Sequence, residues 1–404
     1  MHLDDAMHFD DAVHLDDAAP AGRPLDGVVV ADFSRVLAGP LATMTLADLG
    51  ATVVKVEHPD GGDDTRHWGP PWTPNGSSYF GAANRTKQSV TLDLRDTDDL
   101  ALAQSLVRRA DVLVENFRAG SLDKYGLDPV ATRTANPRLV HCSITGFGSA
   151  AGAHLPGYDF VVQALGGLMS ITGEADADPQ KVGVALVDVL TGKDAVIGIL
   201  AALRHRESTG LGQHVEVSLL QSLLGSLANQ ASAYLATGRS PSRMGNRHPS
   251  IAPYETLRCA DGLLAVACGN DRQFRRLCEV LDVPRLAADP RFTSNGDRVQ
   301  HRRDLVALLE EQLARRTAAD WQARLTAVDV PAGEVKDIAH GIEMAASLGL
   351  EPLVAIEGGP PQVAHPIHYS AFPAARPTPP PTLGQHNDEI RQWLATSLTA
   401  QEHR

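Results

Sequence analysis

The sequence predicts an α/β fold built around a doubly wound, largely parallel sheet. Short β-branched apolar runs alternate with longer helical patterns, which is the signature of strand–helix–strand units. Aromatic residues make up only 5% of the chain, so its 43% hydrophobic content rests on Ala, Leu and Val. That composition suits helices and buried parallel strands better than a β-sandwich. At 404 residues the chain can bury one large core or two medium ones. Two to three domains are expected, or one large α/β body with an insertion.

Order begins near Leu25. Val28–Phe33 reads as a strand, Ala38–Leu49 as a helix stopped by Gly50, and Thr52–Glu57 as a second strand. This βαβ unit is expected to be right-handed. Ser89–Leu94, Asp111–Glu115 and Leu139–Ile144 follow as strands, with a helix at Asp98–Ala110. A Gly- and Pro-rich stretch comes next (Gly146, Gly148, Gly152, Pro156, Gly157, Gly166, Gly167, Gly173), and such loops tend to carry binding sites. Thr191–Arg206 and Leu219–Leu235 read as helices flanking a strand at Val215–Val217, and Pro241–Pro253 as a polar linker. A second α/β unit runs from Tyr254 to Pro331, with a strand at Leu263–Cys268. Its helices are expected at Gln273–Leu281, Arg302–Arg315 and Ala318–Ala327. The run Pro377–Pro381 cannot be helical and reads as an extended strap over the surface.

Net charge is 36 − 49 = −13, and six of the negative charges are aspartates in the first twenty residues. An acidic chain creates no field that attracts phosphates, so nucleic acid is not an expected partner, and an anionic ligand would need a local basic pocket. No run approaches the ~18 apolar residues of a membrane span, and the acidic N-terminus lacks the pattern of a secretory signal. Four cysteines without CxxC or metal-site spacing read as reduced thiols of a cytoplasmic protein. Residues 1–24 repeat a His-x-Asp-Asp unit and are expected to be a disordered or weakly helical tail. Capture of a metal by His2, His8 and His14 with the Asp pairs is the sharper reading; no metal site is assigned.

The first βαβ turn, Ser34–Pro40, has one glycine where the dinucleotide fingerprint needs three, so NAD or FAD is not expected. Walker, Gly-x-Ser-x-Gly and His-Glu-x-x-His motifs are absent from the sequence. Two carboxylates stand out. Asp188 follows the apolar run Val184–Val187 and precedes the helix expected from Thr191. That places it at a strand end beside a helix N-terminus, where the dipole and free N–H groups would stabilise charge developing on a substrate. Position alone leaves a second role equally open, an N-cap worth about 1 kcal/mol. Asp159, in Pro156-Gly157-Tyr158-Asp159, is either a turn aspartate or part of the same site.

Several segments in order resemble the family III CoA-transferases, the CaiB/BaiF group. They include Leu25–Asp32, Ala38-Gly39-Pro40, Leu46–Ala51, Val54–Glu57, Asn84–Ser89 and Val114–Arg118. Gly157-Tyr158-Asp159, Val187–Gly192, Thr209–Gln213, Gly245-Asn246, Asp261-Gly262 and Leu383–His386 continue the match, from about residue 25 to 390. The resemblance implies a large Rossmann-like domain built from both chain ends, a smaller inserted α/β domain, and two chains interlocked like links. The expected division is 25–225 for the first part of the large domain and 226–253 for a linker helix and loop. Residues 254–335 would form the small domain and 336–404 the returning segment.

The resemblance also implies the chemistry. Asp188 matches the family's nucleophile, which passes CoA from an acyl-CoA donor to a carboxylic acid through mixed anhydrides and an aspartyl-CoA thioester. No ATP or tightly bound cofactor is needed, since each exchange has comparable free energy and a covalent intermediate divides the transfer. Tyr158 and Asp159 would line the site. The CoA contacts match Val36, Leu37, Ala38, Leu92, Asn116, Phe117, Lys124 and Tyr125, with His58 where one member has an arginine. Lys55, Arg85, Lys87 and Lys124 are the candidates for a basic pocket. The run Arg247-His248-Pro249-Ser250-Ile251 is similar to transferases of short dicarboxylates such as succinate, so Arg85, Arg247 and His248 are candidates for a distal carboxylate. The related α-methylacyl-CoA racemases are the alternative. They use a histidine where this chain has Tyr158, a poor proton-exchange partner near neutral pH. Deuterium entering Cα from D2O without an acceptor acid would mark that activity.

Overall fold

The computed structural model describes residues 22–372 and 376–401. The expected His/Asp tail falls almost wholly in residues 1–21, outside the described residues. The chain divides into two compact units. One gathers the described residues up to Ser143, Ala195–Val215 and the segment from Val354; the other gathers Ile144–Asp194 and Glu216–Leu353.

The first unit is organised by six strands: β1 (Val29–Asp32), β2 (Thr52–Glu57), β3 (Gln88–Thr91), β4 (Val112–Glu115), β5 (Val140–Thr145) and β6 (His214–Ser218). Their order is β3-β2-β1-β4-β5-β6, the Rossmann arrangement in which the chain reverses direction beside β1. The pairings β2–β3, β1–β2, β1–β4 and β4–β5 are parallel. In the central register Val30 lies between Val53 and Val112. These strands are near-continuous apolar runs because both faces of the sheet are covered. Helix α1 (Ala38–Asp48) follows β1. Helix α2 (Thr97–Arg109) starts where Asp96 accepts from the Asp98 and Asp99 amides, and it ends in Arg108 and Arg109, each charge on the favourable dipole end. Leu102 and Leu106 of α2 share a core with Ala31, Val54 and Leu113 of the sheet, and with Ile390 and Leu394 of the C-terminal helix Asn387–Gln401.

The proline run Pro377–Pro381 is not helical, and its Pro380 and Pro381 are buried. Thr86 N–H donates to the Thr378 carbonyl at 3.0 Å and Arg66 to the Pro381 carbonyl at 3.1 Å. Next to it, Leu383–Asn387 covers the open edge of β3. Ser89 and His386 exchange hydrogen bonds of 3.1 and 3.0 Å, and Thr91 N–H donates to Asn387 at 2.8 Å. An edge strand left bare would invite pairing with another chain.

The second unit contains a three-stranded antiparallel sheet, β7 (Tyr254–Arg258), β8 (Leu263–Ala267) and β9 (Ala332–Glu334), in the order β9-β8-β7. Leu257, Leu264 and Val266 pack there with Phe274, Leu277, Leu305, Leu309 and Trp321 from the helices Asp271–Val280, Arg302–Leu313 and Ala318–Thr326. The unit also holds α3 (Asp159–Leu165) and the start of α4 (Leu186–Thr209).

Some expectations are corrected. The run Val184–Val187 is no strand, and α4 begins at Leu186 rather than near Thr191. The helix expected over Leu219–Leu235 is two, Leu219–Ser226 and Ala228–Thr237, parted where Ala228 takes φ +44°. Strands β7 and β9 were not expected from the sequence; β7 alternates buried and exposed residues with little β-branching. The expected boundaries at 225 and 335 differ from the observed division, because Ile144–Asp194 and Glu216–Leu353 cluster together. Among the described residues no helix is long and apolar enough to cross a membrane.

Candidate active site

A cavity of about 500 Å³ opens at the carboxyl ends of β1 to β4, lined by Phe33, His58 and Leu92 directly after β1, β2 and β3 and by Phe117 two residues after β4. Lys124 and Tyr125 complete one wall, with the lysine Nζ 4.7 Å from the tyrosine ring centroid. This is the crevice where an open parallel sheet binds ligands, at the point where strand order reverses, and its size suits a cofactor-scale molecule. Five of the nine positions matched to CoA contacts (His58, Leu92, Phe117, Lys124 and Tyr125) therefore line one cavity. Asn116 borders it through the turn after β1. Its side chain accepts from Arg35 N–H at 2.8 Å and donates to the Arg35 carbonyl at 2.7 Å. Val36, Leu37 and Ala38 follow in that turn and open α1, whose first turn has no side-chain cap.

Lys87 is corrected. It is fully buried, and its three N–H bonds go to Asp32, Asn84 and the Pro40 carbonyl, each at 2.9 Å. Burial pulls its ammonium down to about 8, although Asp32 supports it. Lys55, also buried, donates to Asp63 and to the Ser34 carbonyl, both at 2.9 Å. Neither lysine is free to meet a phosphate. Arg85 is corrected likewise: Nε and Nη2 clasp Asp48 at 3.2 and 2.6 Å, and Nη1 reaches Gln362 and the Val363 carbonyl. These cations hold the first unit together.

The sequence reading missed Arg95, which lines the cavity. Its Nη2 lies 3.0 Å from His58 Nε2 and 2.9 Å from Asp93. It was hidden in the acidic run Asp93–Asp99, which reads as a helix start.

In the second unit the structure brings Asp159 to the backbone of Asp188, with Tyr158 next to Asp159 in the chain. Tyr158, 58% exposed, precedes α3 in an extended conformation. Asp159, the buried first residue of α3, accepts at Oδ1 from the amides of Val187 (2.8 Å) and Asp188 (3.4 Å). Its Oδ2 accepts from Gln163 at 2.7 Å, and Gln163 accepts in turn from Val182 N–H at 2.9 Å. Asp159 is thus the cap of α4, reaching it from a distant segment, while Asp188 stands within the first turn. The N–H groups expected to face a substrate are consumed by this cap, a correction to the sequence reading. Asp188 is half-buried. Burial, then the Asp159 charge, pushes its carboxyl up to about 7, and among the described residues no cation or donor offsets them. A poorly solvated carboxylate of that basicity is a stronger nucleophile than an ordinary one.

Arg247 and His248 sit together on the loop before β7. Arg247 Nε donates to the Met244 carbonyl at 2.8 Å. The His248 ring lies 5.1 Å from that of Tyr254, and its carbonyl accepts from Arg302 at 2.6 Å. Gly245 N–H ties this loop to the Gly173 carbonyl at 2.9 Å.

Comparison with known proteins identifies the family. The model of CoA-transferase family III matches residues 25–387. The succinate–glutarate CoA-transferase of Agrobacterium fabrum is 43% identical over 384 residues, spanning 92% of this chain and 96% of that one. The acetyl-CoA:oxalate CoA-transferase of Acetobacter aceti is 40% identical over 376 residues, with 92% and 96% covered. The crystal structure of a CaiB/BaiF family protein from Brucella suis superposes with a TM-score of 0.84 at 45% identity, covering 93% of this chain and all of that one. A family match across nearly the whole chain, relatives of this identity that share its length, and a ligand-sized cavity at the sheet's switch point lead to one assignment: the chain belongs to CoA-transferase family III and is a CoA-transferase.

Proposed function

We propose that this enzyme carries CoA from a short dicarboxylyl-CoA, with succinyl-CoA as the donor to test first, to a second small carboxylic acid, using Asp188 as the nucleophile. The observation that carries the reading is the placement of Asp188: first turn of α4, half-buried, with its carboxyl raised to about 7. The relatives' names supply the substrate class.

The steps balance without water or ATP. An Asp188 oxygen attacks the thioester carbonyl, the C–S bond breaks, and CoA thiolate leaves a mixed anhydride. The thiolate attacks the aspartyl carbonyl, which releases the donor acid and forms an aspartyl-CoA thioester. The acceptor carboxylate attacks that thioester, expels the thiolate and forms a second anhydride. The thiolate then attacks the acceptor's carbonyl, making the new acyl-CoA and restoring the Asp188 carboxylate. Each step exchanges one acyl bond for another, so no single barrier carries the whole transfer. Lys124 and Arg95 lie where they would meet the phosphates, and Phe33, Leu92 and Phe117 supply apolar contact. Arg247 and His248 remain our candidates for the acceptor's distal carboxylate.

The protein works, on this reading, as an interlocked homodimer. Phe160 and Leu165 on α3 are 57% and 69% exposed, apolar area that a second copy would cover. We place it in the cytoplasm, where its four free cysteines stay reduced.

The test is peptide mass spectrometry after incubation with succinyl-CoA, run beside Asp188→Ala. A CoA-sized adduct on the Asp188 peptide, missing in the variant, is expected. An active enzyme that forms no adduct there with any thioester it turns over would end the covalent reading.

A further inference from the structure

We infer that Asn116 and Asp63 are positioning residues that hold a strained turn, Arg35–Val36, in the shape that receives the acyl-CoA. This inference rests on the reading of the cavity beside β1 as the CoA site. Val36 has φ +70°. A β-branched residue rarely enters the left-handed region, where its Cβ substituents crowd the backbone. Such a conformation persists only where the surroundings over-determine it, and it collects at ligand clamps.

The surroundings here do so from both sides. From the end of β4, Asn116 spends both ends of its amide on the backbone of Arg35, at 2.8 and 2.7 Å. From the segment after β2, Asp63 Oδ1 accepts from Val36 N–H at 3.3 Å and from Thr65 N–H and Oγ1 at 3.0 and 2.8 Å. Asp63 is itself fixed by the buried Lys55 Nζ at 2.9 Å, which also holds the Ser34 carbonyl. Asp32 grips Ser34 through its amide and hydroxyl. Every residue from Asp32 to Val36 is thus tied by a side chain or by the sheet, and Phe33, Ser34 and Arg35 line the cavity. The resemblance to the family suggested Asn116 as a direct CoA contact. Its hydrogen bonds give it another part: it acts through the turn.

The test is a double-mutant cycle between Asn116 and Val36, read as the Kd of CoA by calorimetry and as KM and kcat for the acyl-CoA. Asn116→Ala strands no buried charge, unlike removal of Asp63. With Val36 present it should raise Kd and KM by about tenfold, the scale of one released backbone strain, with kcat at saturation within about twofold. In the Val36→Gly background, where the left-handed turn is unstrained, Asn116→Ala should cost less than about threefold. An equal loss in both backgrounds would overturn the inference, because Asn116 would then be meeting CoA itself; so would an unchanged Kd in Asn116→Ala. If Asn116→Ala fails to fold, Asn116→Asp keeps the acceptor for Arg35 N–H, and its loss should likewise shrink in the Val36→Gly background. Failure of the cavity reading is separate: it would show as wild-type CoA binding that Lys124→Ala and Phe117→Ala leave untouched.

Discussion

Replacing Asp159 by Asn should move the pH dependence of acylation downward. In the proposed mechanism Asp188 attacks as the carboxylate, and its carboxyl sits at about 7 because of burial first and the Asp159 charge second. Acylation by the wild type therefore falls away as pH drops through 7. Asn removes the charge yet keeps an Oδ1 to accept from the Val187 amide, so the start of α4 survives. The carboxyl rises from an ordinary 3.8 to about 7, and burial is the larger of the two causes, so the Asp159 charge carries less than half of that rise. Removing it is therefore worth at most about 1.5 pH units, or about 2 kcal/mol. The burial contribution stays, so the midpoint should settle between about 5.5 and 6.5 rather than at the value of a free aspartate. The assay is the rate of adduct formation in a single turnover with succinyl-CoA, quenched and weighed by mass spectrometry from pH 4.5 to 8.5. A midpoint that stays put or rises would refute the electrostatic role given to Asp159.

Asp188→Asn should stabilise the protein at pH 8. A carboxyl raised in the folded state favours folding below its unfolded value, and that benefit is lost as pH climbs towards 7. Above 7 the native state carries an ill-solvated charge, so Asn should add about 1–2 kcal/mol after allowance for partial exposure. Calorimetric melts should show the gain at pH 8 and none at pH 4. Arg85→Ala breaks a buried clasp on Asp48 and should cost about 3–5 kcal/mol in denaturant titration, with the acceptor KM unchanged in the protein that remains folded. Lys124→Ala should raise the acyl-CoA KM about tenfold and flatten its dependence on salt, as steady-state assays from 20 to 300 mM salt would read.

The parts legible in the sequence are those fixed locally. Thr52–Glu57 announces itself as a β-branched run opened just after Gly50, and its strand has those bounds. Helix α1 runs from Ala38 to Asp48, one residue short of the expected end. What misled was decided by partners far along the chain. The start of α4 is set by Asp159, 28 residues before the Val187 amide it caps. Lys87 and Arg85 carry the look of surface cations, but Asp32 and Asp48, 55 and 37 residues away, draw them inside. Arg95 was overlooked for the opposite reason, since the aspartates around it masked a side chain that the fold turns towards the cavity. Charge in a sequence tells which groups must find partners; only the topology tells whether the partner is protein or ligand.

The covering of β3 by Leu383–Asn387 has a consequence for how the molecule is made. Thr91 and Asn387 are joined across 296 residues. At a synthesis rate of about 5–20 residues per second, the edge of that sheet waits roughly 15–60 s for the segment that closes it. During that interval the unpaired amides of β3, and the face of α2 that later meets Leu394, stand open to any neighbouring chain. The sheet edge made early is finished only by residues made 296 positions later. Quality of assembly therefore depends on what shelters that edge in the meantime, and a chain cut short after the proline strap would keep the hazard for good.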